Sequence, residues 1–113
     1  MLTLKQFLGG RTTAIIGVVT SRDGERFSVR LRHARGIGCV TAELAPVKGG
    51  KWEHITGRFG DETNMRHIVT CIRMDSLVPG CAFVLTPAAQ EQFTAAEMAS
   101  GWPPFGIPAE VQS

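Results

Sequence analysis

Residues 14–33, AIIGVVTSRDGERFSVRLRH, hold two β-prone runs joined at Asp23-Gly24, and their reading decides the fold. Asp-Gly between alternating hydrophobic runs is the signature of a two-residue type I′ hairpin. With Arg22 paired to Glu25, Ala14, Ile16, Val18 and Thr20 stand opposite His33, Leu31, Val29 and Phe27. Side chains alternate along a strand, so this apolar row is assigned to the core. The other row sets Ile15, Gly17, Val19 and Ser21 opposite Arg32, Arg30, Ser28 and Arg26, a mixed aliphatic and cationic surface. Arg22 lies at its turn and Arg35 follows it.

Downstream, the same logic predicts a second hairpin around Gly49-Gly50 with Lys48 opposite Lys51. Val40, Ala42 and Leu44 then face Phe59, Gly57 and Ile55 on an apolar side. Thr41, Glu43, Ala45 and Val47 face Arg58, Thr56, His54 and Trp52 on the other. Pro46 lacks a ladder donor, which places its end of the strand at an edge or outside the paired region. A third hairpin is expected from a strand over Arg66 to Met74, a turn over Asp75 to Gly80, and a partner strand over Cys81 to Leu85. Gly17, Gly36, Gly38, Gly57 and Gly60 are the places expected to bulge or coil.

Helices are expected only at the ends. Thr3 and Gln6 have the spacing of a capping box, Leu2 and Phe7 that of a hydrophobic staple, and Gly9-Gly10 ends the short helix. Thr86-Pro87 provides an N-cap and N1 proline for a helix from about Pro87 to Ala99, closed by Ser100-Gly101. The predicted fold is therefore mainly β, a β-rich α+β chain. Its six antiparallel strands form a meander of three hairpins curled into a small barrel or roll. Residues 1–101 form the single domain, and residues 102–113 an extended proline and aromatic tail carrying Trp102, Phe105 and Ile107.

With 113 residues, 43% hydrophobic and 19% charged, the composition is that of one folded domain. No apolar run approaches the roughly 20 residues that span a bilayer. The opening Met1-Leu2-Thr3-Leu4-Lys5 lacks a secretory pattern, so the cytoplasm is the expected location, without membrane contact. Cys39, Cys71 and Cys81 are an odd set without a CxxC pair and are read as reduced, mostly buried thiols. Charge is uneven: all twelve Lys and Arg, nine of them Arg, precede residue 81.

Candidate chemistry follows from these placements. Arg22, Arg26, Arg30, Arg32, Arg35 and Arg58 form the expected nucleic-acid or anion surface, since arginines along a β-barrel face can follow a phosphate backbone. The structural alternative is a solvated strand whose arginine stems cover aliphatic neighbours. Trp52, Trp102, Phe105 and Ile107 form a second candidate set for a protein partner or self-association, or a tail folded back on the domain. The lone G-x-G at Gly36 to Gly38 lacks the context of a phosphate loop and is read as a connector. His67 and Cys71 share a face of the predicted strand, but no tight ligand pair accompanies them, so no metal or other cofactor is expected. No nucleophile elbow or metalloprotease helix occurs. The sequence thus points to a non-enzymatic binding module for an acidic partner, with nucleic acid first. A protein-interaction domain, adaptor or inhibitor, is the alternative.

Overall fold

The computed structural model describes residues 2–34, 36, 38–76, 81–91 and 93. Helix α1 (Leu4–Leu8) begins as its sequence demands: Thr3 Oγ1 accepts from the Gln6 N–H at 3.2 Å, and Gln6 Oε1 accepts from the Thr3 N–H at 2.9 Å. A five-residue helix is not stable alone. Leu4, Phe7 and Leu8 are buried, and the Leu4 and Lys5 N–H groups donate to Thr63 and Asp61 carbonyls, so the rest of the fold holds α1 in place.

Strands β1 (Thr13–Thr20) and β2 (Arg26–Ala34) form the first hairpin, with a turn one residue longer than predicted. Ser21, not Arg22, faces Glu25: its N–H donates to the Glu25 carbonyl at 2.8 Å, and the Gly24 N–H donates to Ser21 O at 2.9 Å. Gly24 has φ +90°, which fits a three-residue loop ending in a left-handed glycine. Asp-Gly serves either loop, which is why the dipeptide alone did not set the register. Thr20 pairs with Arg26, Val19 with Phe27 and Gly17 with Val29, and a shift at Ile16 then sets Ile15 opposite Arg30.

That bulge changes which residues face the core. Ala14 and Ile16 point inward before it, Gly17 and Val19 after it, so Gly17 and Val19 do not lie on the arginine side. Gly17 has no room for a side chain: a Cβ there would approach Phe83 Cε1 to 2.5 Å and Val84 O to 2.7 Å.

Strand β3 (Cys39–Pro46) pairs with β2 in unbroken register, from Ala34–Cys39 to Phe27–Pro46. Strand β4 (Glu53–Phe59) meets β3 as predicted at Val40–Phe59, then slips twice, giving Ala42–Thr56, Glu43–His54 and Leu44–Glu53. The first slip spans Gly57, whose φ is +94°. Pro46 lies beyond the last β3–β4 pair, where its missing donor does no harm. Val47 and Trp52 lie outside this ladder, correcting their predicted pairing.

The predicted third hairpin does not form. Residues Met65–Ser76 are helix α2, begun by Asn64, whose Oδ1 accepts from the His67 N–H at 2.9 Å. Met65, Ile68, Val69 and Ile72 are fully buried and recur at three- and four-residue steps, so one helical stripe meets the core. A strand was expected over Arg66 to Met74; the periodicity of the segment's burial is helical. Arg73 on the same helix is 2% exposed, and desolvation lowers its pKa to about 9. Strand β5 (Ala82–Leu85) pairs with β1, with Val84 beside Val18, and Thr86 caps helix α3 (Pro87–Gln90) with Pro87 in its first turn. The helix predicted from Pro87 to Ala99 stops at Gln90, with Glu91 in a turn and Phe93 in a bend; residues 94–99 and the tail over 102–113 lie outside the described residues.

One open sheet results, in the order β4-β3-β2-β1-β5, with every neighbour antiparallel. Five strands replace the predicted six, and the described residues form no closed barrel. The described residues are mainly β, with three helices. Leu4, Phe7, Ile68, Ile72 and Ala89 join Ile16, Val29, Leu31, Val40 and Phe83 in one apolar cluster, so the helices lie against one side of the sheet. No helix among the described residues is long and apolar enough to cross a membrane.

Candidate binding face

The outer side of the sheet, opposite that cluster, is built around β2. Arg26, Ser28, Arg30 and Arg32 alternate with the inward Phe27, Val29, Leu31 and His33, and β2 has no bulge to interrupt them. Their neighbours on β1 are Thr20, Val18, Ile15 and Thr13, and on β3 Ala45, Glu43 and Thr41.

Glu43 organises the centre of this face. Its Oε1 accepts from Arg30 Nε and Nη2, both at 2.8 Å, and its Oε2 accepts from Arg32 Nε at 2.9 Å. Arg30 also lies over the Trp52 ring, with its Cζ 4.0 Å from the ring centroid. Burial works against ionisation of Glu43, but the hydrogen bonds and charges of Arg32 and Arg30 outweigh it, holding the carboxyl below its ordinary value. Arg30 is thereby held by both a carboxylate and an indole. Arg32, at 45% side-chain exposure, retains solvent-facing surface.

The predicted site residues thus divide. Arg26, Arg30 and Arg32 share one face; Arg22 is exposed at the hairpin turn and Arg58 on β4. Trp52 joins this group through Arg30. Arg35, Trp102, Phe105 and Ile107 lie outside the described residues. Alternation along single strands does not single out Glu43, because its role depends on the β2–β3 register. The signal was present in the short connector over 35–38: closing it as a hairpin with Ala34 opposite Cys39 brings Arg30 opposite Glu43.

Beside the arginines the face becomes aliphatic. Val84 is 54% exposed, Ile15 46%, and a shallow concavity of about 310 Å³ includes Val18, Val84, Thr20 and Arg26 in its lining. His67 and Cys71, predicted on a strand, lie one helical turn apart on α2, with Cys71 Sγ 3.5 Å from His67 Nε2. Among the described residues, no group of three His, Cys, Asp or Glu is placed to hold a metal ion. The chain matches no family model, no curated protein and no solved structure.

Proposed function

We propose that this protein is a binding module whose outer sheet face receives single-stranded nucleic acid. The observation that carries this reading is that Arg26, Arg30 and Arg32, with Ser28 between the first two, share the side of the sheet away from the helices. Arg26 to Arg32 extends about 20 Å along β2 at strand spacing, and Arg22 prolongs it at the turn. Cations arranged in this way can follow a phosphate backbone, and a guanidinium held flat offers a plane on which a base can stack. Glu43 and Trp52 hold Arg30 in place before any ligand arrives, which favours such stacking on the side that Trp52 leaves open.

A second reading, an acidic polypeptide partner, is favoured by the exposed Ile15 and Val84 beside the arginines, because a protein surface can satisfy aliphatic and cationic groups together. Fluorescence anisotropy with a labelled single-stranded oligonucleotide, titrated with salt, separates the two. Nucleic-acid binding should weaken steeply with salt, and Arg26→Ala with Arg32→Ala should reduce the logarithmic slope by about 0.7 per cation removed. An oligonucleotide that does not bind at low salt refutes the nucleic-acid reading and leaves the polypeptide partner.

A further inference from the structure

The helix side of the sheet ends in a second recess, separate from the arginine face. Lys5 and Leu8 of α1, Arg11 and Thr12 of the link to β1, His33 near the end of β2, and Asp61 after β4 line about 230 Å³ of space. These four pieces of chain are tied together by their backbones. The Lys5 N–H donates to Asp61 O at 3.0 Å, the Arg11 N–H to Leu8 O at 3.0 Å, and the His33 N–H to Thr12 O at 2.8 Å. We propose that this recess is a binding site for a small phosphate monoester.

The argument begins with Arg11. Its Nε donates to Leu8 O and its Nη2 to Phe7 O, each at 2.8 Å, so the side chain closes the carbonyl end of α1 and its guanidinium is held in the recess wall. A cation fixed in this way loses little conformational freedom when an anion arrives. Among the described residues, neither Lys5 nor Arg11 has a carboxylate partner; the recess's own carboxylate, Asp61, instead faces His33, with Oδ1 3.8 Å from Nε2. Two cationic side chains therefore stand against one carboxylate in the recess.

The chemical class follows from the donor set. The recess is lined by Lys5, Arg11, Thr12 and His33, residues whose side chains carry an ammonium, a guanidinium, a hydroxyl and an imidazole. A phosphoryl group offers three acceptor oxygens and up to two negative charges near neutral pH, whereas a carboxylate offers two oxygens and one charge. The volume is below the usual range for drug-sized ligands, which limits the organic part to a few atoms, with Leu8 as its apolar contact.

The test is an NMR titration of the three histidines of the intact chain with glycerol 3-phosphate, inorganic phosphate and acetate, at constant ionic strength set with chloride. The expected result is a saturable shift of the His33 imidazole signals with glycerol 3-phosphate, absent from His54 and His67. Lys5→Gln should weaken binding roughly three- to fivefold, and Asp61→Asn should strengthen it by a similar factor by removing the competing anion. Both positions are substantially exposed, so the fold tolerates these changes. A purely structural role for Asp61 would not produce tighter binding on its neutralisation. Unmoved His33 signals, an equal response to acetate, preference for inorganic phosphate over the ester, or unchanged affinity in both variants each overturns the proposal.

Discussion

On the inner side of β2, Val29 and Leu31 are fully buried against helices and neighbouring strands, whereas on the outer side of the same strand Arg30 and Arg32 converge on Glu43. Both rows limit solvent contact by different means. The inner row excludes water through close-packed hydrocarbon, whose contribution grows with area and does not depend on pH. The outer row lowers the cost of burying a carboxylate by surrounding it with guanidinium donors, so its contribution depends on charge state. One strand therefore carries a constant half and a titratable half, and substitutions can separate them.

Leu31→Ala breaks the inner row most severely. It leaves a cavity in the centre of the cluster and is expected to cost about 2–5 kcal/mol, read as a lower urea midpoint at neutral pH. Glu43→Gln acts on the outer row and should cost less, about 1–2 kcal/mol at pH 7, because Arg30 and Arg32 can turn partly to solvent. Its effect must also depend on pH. The folded carboxyl titrates below its unfolded value near 4.5, so its stabilisation is complete above that value and is lost as pH falls through the folded pKa. The urea midpoints of wild type and Glu43→Gln should therefore converge on acidification, while the deficit of Leu31→Ala persists. Arg26→Ala, at an exposed position on the outer row, should change stability by no more than about 0.5 kcal/mol while weakening oligonucleotide binding. A large stability loss in Arg26→Ala would show that the outer row is cohesive along its whole length and not only around Glu43.

What was legible in the sequence was local. The Thr3–Gln6 capping box, the glycine end of α1, the Thr86-Pro87 helix start and the inward run Phe27, Val29, Leu31 follow from contacts within a few residues or from strict alternation. Register was harder to read, because Asp23-Gly24 fits two loop lengths and the bulge at Ile16 reverses the faces of Gly17 and Val19. In α2, Met65, Ile68, Val69 and Ile72 have helical spacing, but the segment also holds the β-branched Ile68, Val69, Thr70 and Ile72, and so short an apolar run fits strand or helix. The pairing of β5 with β1 joins segments more than sixty residues apart, and no local pattern encodes it. For the candidate face, the arginines could be placed from alternation, but Glu43 required the pairing of β2 with β3. The phosphate-site recess draws on four separate segments and was not visible in any one of them.

Among the described residues β4 and β5 are the edges of the sheet, and an unpaired edge can recruit a strand from another molecule and grow into a fibre. The two edges here offer poor templates. β5 supplies only four residues, and β4 is broken out of regular pairing twice and carries Glu53 and Arg58 along its length. Short length, irregular register and charge all discourage edge-to-edge addition. The kink at Gly57 that breaks the regular register of β4 therefore also makes that edge a poorer template for a further strand.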